Sequence, residues 1–72
     1  MNKNKLLAIL ASVGDTQSDL AAAIGLSRPR LSAKINERNN AAFTQPEIAA
    51  IKHRYSLSSE QIDDIFFTSD VS

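Results

Sequence analysis

The sequence predicts an all-α fold, a single compact bundle of five helices. Three observations predict it. Capping signatures stand at Thr16-Gln17-Ser18-Asp19, Thr44-Gln45-Pro46-Glu47 and Ser58-Ser59-Glu60-Gln61, each an N-cap hydroxyl with an acid or amide three residues on. Apolar residues recur at helical spacing around those signatures. No apolar-polar alternation long enough for a strand interrupts them. At 72 residues the chain makes one domain, residues 1–72. A chain that short buries only roughly 60% of its unfolded surface, so modest stability is expected.

The first helix is expected from about Lys3 to Val13, with Leu6, Leu7, Leu10 and Val13 as its inner stripe and Gly14-Asp15 as its end. Thr16 opens the second, about 17–24, whose Leu20, Ala21 and Ile24 share one face. Gly25 falls where a left-handed C-cap is wanted, a conformation glycine enters without steric cost. Ser27 caps the third helix, about 28–36, and Pro29 stands in its first turn, where a missing N–H breaks no bond. Leu31 and Ile35 give that helix a buried stripe, and Arg28, Arg30, Lys34 and then Arg38 are assigned to the opposite face. A short helix, a glycine turn and a helix with a basic outer face make a helix-turn-helix over residues 16–36.

Glu37 to Ala42 reads as a polar turn in which an asparagine takes the left-handed position, and Phe43 follows as an apolar anchor. The fourth helix runs to about Arg54 and buries Ile48 and Ile51, with Ala49 or Ala50 alongside. Tyr55 and Leu57 are expected to turn inward. The fifth helix runs from about Ser59 to Phe66 or Phe67, apolar at Ile62, Ile65 and Phe66, with Glu60, Asp63 and Asp64 facing water. Residues 68–72 carry no helical pattern and read as an extended or frayed tail. Two adjacent phenylalanines cannot both face one core. Phe66 is expected to close it, while Phe67 either covers a small exposed patch or joins Val71 in an association surface.

Net charge is zero, so its distribution matters more than its sum. Residues 28–38 hold four cations against Glu37, whereas residues 55–72 hold Glu60, Asp63, Asp64 and Asp70 with no basic residue. With no cysteine there is neither a disulfide frame nor a thiolate metal site. The single histidine, His53, reads as a helix C-terminal residue set against the dipole. Asp63 and Asp64 are adjacent, about 100° apart on a helix, and do not converge on one ion. No hydroxyl stands in a recognisable nucleophile motif. No metal, cofactor, small-molecule substrate or enzymatic activity is therefore expected. No apolar run approaches the ~20 residues of a membrane span, and no signal-peptide core is evident.

The run Thr16-Gln17-x-x-Leu20-Ala21-x-x-x-Gly25-Leu26-Ser27, with Leu31-Ser32-x-Lys34-Ile35-Asn36 after it, resembles the Cro/XRE class of phage and bacterial regulators. The resemblance implies a lambda-repressor-like DNA-binding domain whose second motif helix lies in the major groove of double-stranded operator DNA. It implies a phosphate contact for Gln17, and backbone contacts for Arg38 and Asn39 after the motif. It also makes Lys3 and Lys5 either phosphate contacts or a plain solvated start. Ser27 and Arg28 open the reading helix, where an arginine is suited to a bidentate contact with guanine O6 and N7. Arg30 or Lys34 then takes base edges or phosphates, and Pro29 and Ala33 offer only apolar contact, for example with a thymine methyl. Many relatives carry Gln, Ser or Thr where this chain has Arg28-Pro29-Arg30, so the operator is not legible.

Two functions are expected from this. One is a transcriptional repressor of a phage lysogeny switch, working in the bacterial cytoplasm, its dimer setting two reading helices ~34 Å apart. The other is an antirepressor that binds the cognate phage repressor, with Asp63 and Asp64 of the acidic helix docked on that protein's basic surface.

Overall fold

Each capping signature opens a helix in the computed structural model, which describes residues 1–67. The order is α1 (Lys3–Val13), α2 (Gln17–Ile24), α3 (Arg28–Ile35), a 3-10 turn (Arg38–Asn40), α4 (Gln45–Arg54) and α5 (Ser59–Phe66). No strand occurs among the described residues. At α2, α4 and α5 the hydroxyls of Thr16, Thr44 and Ser58 accept the backbone N–H three residues on. In return Asp19, Glu47 and Gln61 accept the N-cap N–H, so the exchange is reciprocal at all three. At α3 only Ser27 Oγ acts, accepting the Arg30 N–H at 3.3 Å.

Gly25 closes α2 at φ +75°, and Gly25 to Ser27 turn the chain into α3. Beyond α3 the left-handed positions are Glu37, Asn39 and Asn40, at φ +54°, +53° and +62°. The two asparagines answer the expectation for this turn; Glu37 adds a position at which left-handed backbone is less usual. Ser56, at φ +52°, makes the same kind of bend between α4 and α5.

All five helices feed one core: Leu6 and Leu10, Leu20 and Ala21, Leu31 and Ile35, Ile48 and Ile51, and Ile62 and Ile65, closed by Leu57 from the last connection. Ala50 rather than Ala49 is the half-buried alanine of α4. The stripe expected on α1 is narrower than its leucines suggest. Leu7 is half-buried and Val13 is 57% exposed, while Ile9 packs against the core edge. Val13 lies in the last turn, where the Asp15 N–H bonds back to the Leu10 carbonyl at 2.9 Å and the chain leaves for α2. The Asn2 N–H donates to the Ile65 carbonyl at 2.7 Å, fastening the start of α1 to the end of α5. Asp15 accepts from Tyr55 Oη at 2.7 Å and from Arg54 Nε at 2.9 Å, which pins the α1–α2 connection to the end of α4. Burial, followed by the bond to Asp15, raises the Tyr55 hydroxyl above its ordinary range, so it stays a donor at neutral pH.

One ion pair links α3 to α4. Lys34 Nζ lies 2.6 Å from Glu47 Oε1, with 10% and 14% of the two side chains exposed. The same oxygen accepts the Thr44 N–H at 2.8 Å. Burial alone would raise the Glu47 carboxyl, but the Lys34 hydrogen bond, the Thr44 N–H and the lysine charge outweigh it, and its pKa is lowered.

Leu31 is fully buried, and Leu31→Ala is expected to cost about 2–5 kcal/mol in urea unfolding, much of the stability of so short a chain. Glu47→Gln keeps the capping box but strands the lysine charge, at about 3 kcal/mol; adding Lys34→Met should recover most of that loss. Because folding lowers the Glu47 pKa, its contribution is complete above the ordinary glutamate value and lost as pH falls through that value and the folded one. The stability gap between the wild type and the Lys34→Met/Glu47→Gln chain should therefore shift against the wild type on acidification below the ordinary glutamate range. A pH-independent gap would remove the assignment.

Candidate nucleic-acid interface

α3 is amphipathic, and its buried positions fix which side faces outward. Leu31, Lys34 and Ile35 point inward. At about 100° per residue, the opposite line of the helix holds Pro29 and Ala33. Arg28 and Ser32, four residues apart, flank that line on one side, and Arg30 flanks it on the other. Ser27, Arg28, Pro29 and Arg30 are exposed, and Ala33 is half-buried. Ser32 shares the side of Arg28 by its four-residue spacing. It is half-buried, and its Oγ accepts from Asn36 Nδ2 at 3.4 Å.

Lys34 does not belong to this face. Its place beside Leu31 on the helix turns it inward, and Glu47 makes the burial tolerable by neutralising the ammonium. The expectation that Lys34 shares the outer face of α3 with Arg28 and Arg30 is corrected accordingly. Periodicity put Leu31 and Ile35 inside, yet a lysine next to them read as solvated because its partner stands 13 residues away in sequence.

The other cations divide into three groups. Lys5 pairs with Asp64 at 3.4 Å and Arg54 with Asp15 at 2.9 Å. Lys3 and Lys52 donate to neutral oxygens, on Asn36 at 3.1 Å and on Ser59 at 3.1 Å. Arg28, Arg30 and Arg38 make no ion pair among the described residues. The arginines without an ion pair thus lie at the start of α3 and in the turn after it, while Lys3 and Lys52 carry further charge not cancelled by a carboxylate. Arg38 and Asn39 are both exposed in that turn. Lys3, at the Asn36 C-cap, sits by the same end of α3; Lys5 is drawn to α5.

Gln17 is half-buried in the first turn of α2. The Asp19 carboxylate accepts the Thr16 N–H at 2.9 Å, and that backbone bond, then the Thr16 hydroxyl, lowers its pKa. The start of α2 therefore carries a negative charge of its own at neutral pH. Any anion approaching there meets the Gln17 amide beside that charge, so α3 and its turn are the more favourable side.

Beside the turn that follows α3, Phe66 is half-buried and meets Phe43 edge-on, with ring centroids 5.4 Å apart. It closes the core, as expected. Phe67 is 58% exposed and borders a surface groove of about 360 Å³ floored by Met1, Phe43, Ile48 and Phe66. Val71, and the tail it belongs to, lie outside the described residues. Glu60 and Asp63 are exposed on α5, while Asp64 is half-buried at its contact with Lys5. His53 is exposed in the last turn of α4. No cluster of acids or histidines suited to a metal occurs among the described residues, and none of their helices is long and apolar enough to cross a membrane.

Comparison with known protein families, characterised proteins and solved structures gave no match to this chain.

Proposed function

We propose that this protein is a helix-turn-helix transcriptional regulator that binds double-stranded operator DNA and represses by occupying it, in the manner of a phage lysogeny regulator. The observation that carries the proposal is the trio Arg28, Arg30 and Arg38, exposed and without ion pairs among the described residues, on and just after one helix of a chain whose net charge is zero. Guanidinium groups in that arrangement suit a polyanion on either side of a helix laid in its groove. Arg28, at the start of α3, is the base reader of the set, through guanine O6 and N7. Pro29 and Ala33 supply the small apolar surface that lets α3 approach the base edges, and Arg30, Arg38 and Asn39 take phosphates. The Gly25-Leu26-Ser27 turn sets α3 against α2, which carries Gln17 to the flanking backbone. Binding excludes polymerase or a competing protein from the same site.

A second reading has its own support. The centre of the exposed face of α3 offers no hydrogen bond to a base, and α5 presents Glu60 and Asp63 to solvent. Those features suit an antirepressor that docks on a repressor's basic surface.

The test is selection of duplexes from a randomised library, followed by titration at several salt concentrations. Selective binding is expected, with log affinity falling against log salt by about 0.9 per phosphate contacted. Arg28→Ala should relax preference at one position by ~1–3 kcal/mol, whereas Arg38→Ala should leave preference intact and flatten the salt slope by about 0.9. No enrichment of any duplex, combined with loss of a co-encoded repressor's own gel shift when this protein is added, would replace the first reading with the second.

A further inference from the structure

The buried lysine of α3 has a role that its chemistry alone does not suggest. Lys34 Nζ is 2.6 Å from Glu47 Oε1, and the pair is largely withdrawn from solvent. Glu47 also holds the N-cap of α4 through the Thr44 N–H at 2.8 Å. Between the two partners runs the turn with three left-handed residues, Glu37, Asn39 and Asn40, a segment without a buried side chain. The N-terminal ammonium on Glu37 at 2.6 Å and Lys3 on Asn36 at 3.1 Å tether this end of the helix to the start of α1, but both are exposed and neither joins α3 to α4. Leu31 and Ile35 hold α3 against the core by apolar contact, which tolerates small rotations of the helix; a charge-assisted bond to one oxygen does not. Lys34 lies on the inner side of α3, and Arg28, Pro29 and Ala33 lie on the remainder of its circumference, so a rotation that moves one moves the others.

We propose that Lys34 is a positioning residue: tied to Glu47, it sets the rotation of α3 and with it the aim of Arg28 and Arg30, while making no contact with DNA itself. This rests on the DNA-binding reading above. The pair contributes selectivity rather than phosphate attraction. In the Lys34→Met/Glu47→Gln chain the apolar stem and the capping box remain, but α3 loses its charged stop.

The test uses the full chain and the duplex of about 20 base pairs most enriched from a randomised library, long enough for two major-groove faces of one turn each. Random duplex is the control, and circular dichroism confirms the helical content of each variant. For the Lys34→Met/Glu47→Gln chain the affinity for the selected duplex should drop roughly tenfold, the scale of one well-seated base contact, while binding to random duplex and the salt slope stay as in the wild type. Lys34→Arg/Glu47→Asp rebuilds the pair at the same total length, and an aspartate already serves the capping box of α2. It should restore the selectivity. A salt slope flattened by about 0.9 in the Met/Gln chain would make Lys34 a phosphate contact and overturn the proposal. Unchanged selectivity in that chain, or a folded Arg/Asp chain that fails to regain it, would overturn it as well. If the wild type itself enriches no duplex, the DNA-binding reading fails, an outcome that the titration of the unmodified chain separates from the others.

Discussion

One carboxylate, that of Glu47, serves two helices at once. It accepts the Thr44 N–H and so completes the start of α4, and it neutralises the ammonium that α3 drives into the interior. Neither function is independent of the other. Without the lysine, the carboxylate would be buried with only backbone donors; without the carboxylate, the lysine would be a lone charge among apolar side chains. The position of α3 relative to α4, and hence the face that α3 turns outward, depends on this junction more than on the short polar turn that connects the two helices. Apolar contact at Leu31 and Ile35 supplies most of the stabilisation, and the ion pair supplies its direction.

A chain of zero net charge presents a localised positive face because its carboxylates are distributed unevenly. Asp15, Asp64 and Glu47 each take up a cation from another element, at Arg54, Lys5 and Lys34. Exposed pairs of the Lys5 type add little to stability, but they remove a positive charge from the local field. Among the described residues the cations outside these pairs are Lys3 and Lys52, which donate to neutral oxygens, and the guanidinium groups Arg28, Arg30 and Arg38 on and just after α3. Asp19 sharpens the asymmetry from the other side of the Gly25 turn, being held ionised by the Thr16 N–H and hydroxyl at the start of α2. The proposed DNA-binding role follows from this distribution rather than from overall composition.

Helix positions were legible in the sequence because their signals are local. The hydroxyl and acid of a capping box stand three residues apart, and the structure places α2, α4 and α5 where those boxes predict. Gly25 marked the turn into α3 through its own backbone preference, and Asn39 and Asn40 marked the turn out of it. The inward faces of α2, α3, α4 and α5 were likewise readable from apolar spacing. Reading failed where a side chain's environment is made by a distant element. Val13 has the spacing of a core residue, yet it is 57% exposed while Leu10 of the same turn is buried. Lys34 has the composition of a surface residue, and it is buried.

The sequence by itself determined five helices, their approximate boundaries, the apolar stripes of all but α1 and which residues are available as cations, since caps, turns and periodicity act within one or two turns of chain. Tertiary structure alone decided which of those cations remain unneutralised. Lys34 meets Glu47 across 13 residues of sequence, Arg54 meets Asp15 across 39 and Lys5 meets Asp64 across 59. A charge is cancelled by whatever lies within a few ångströms of it, and that distance is set by how the helices pack, not by their order along the chain.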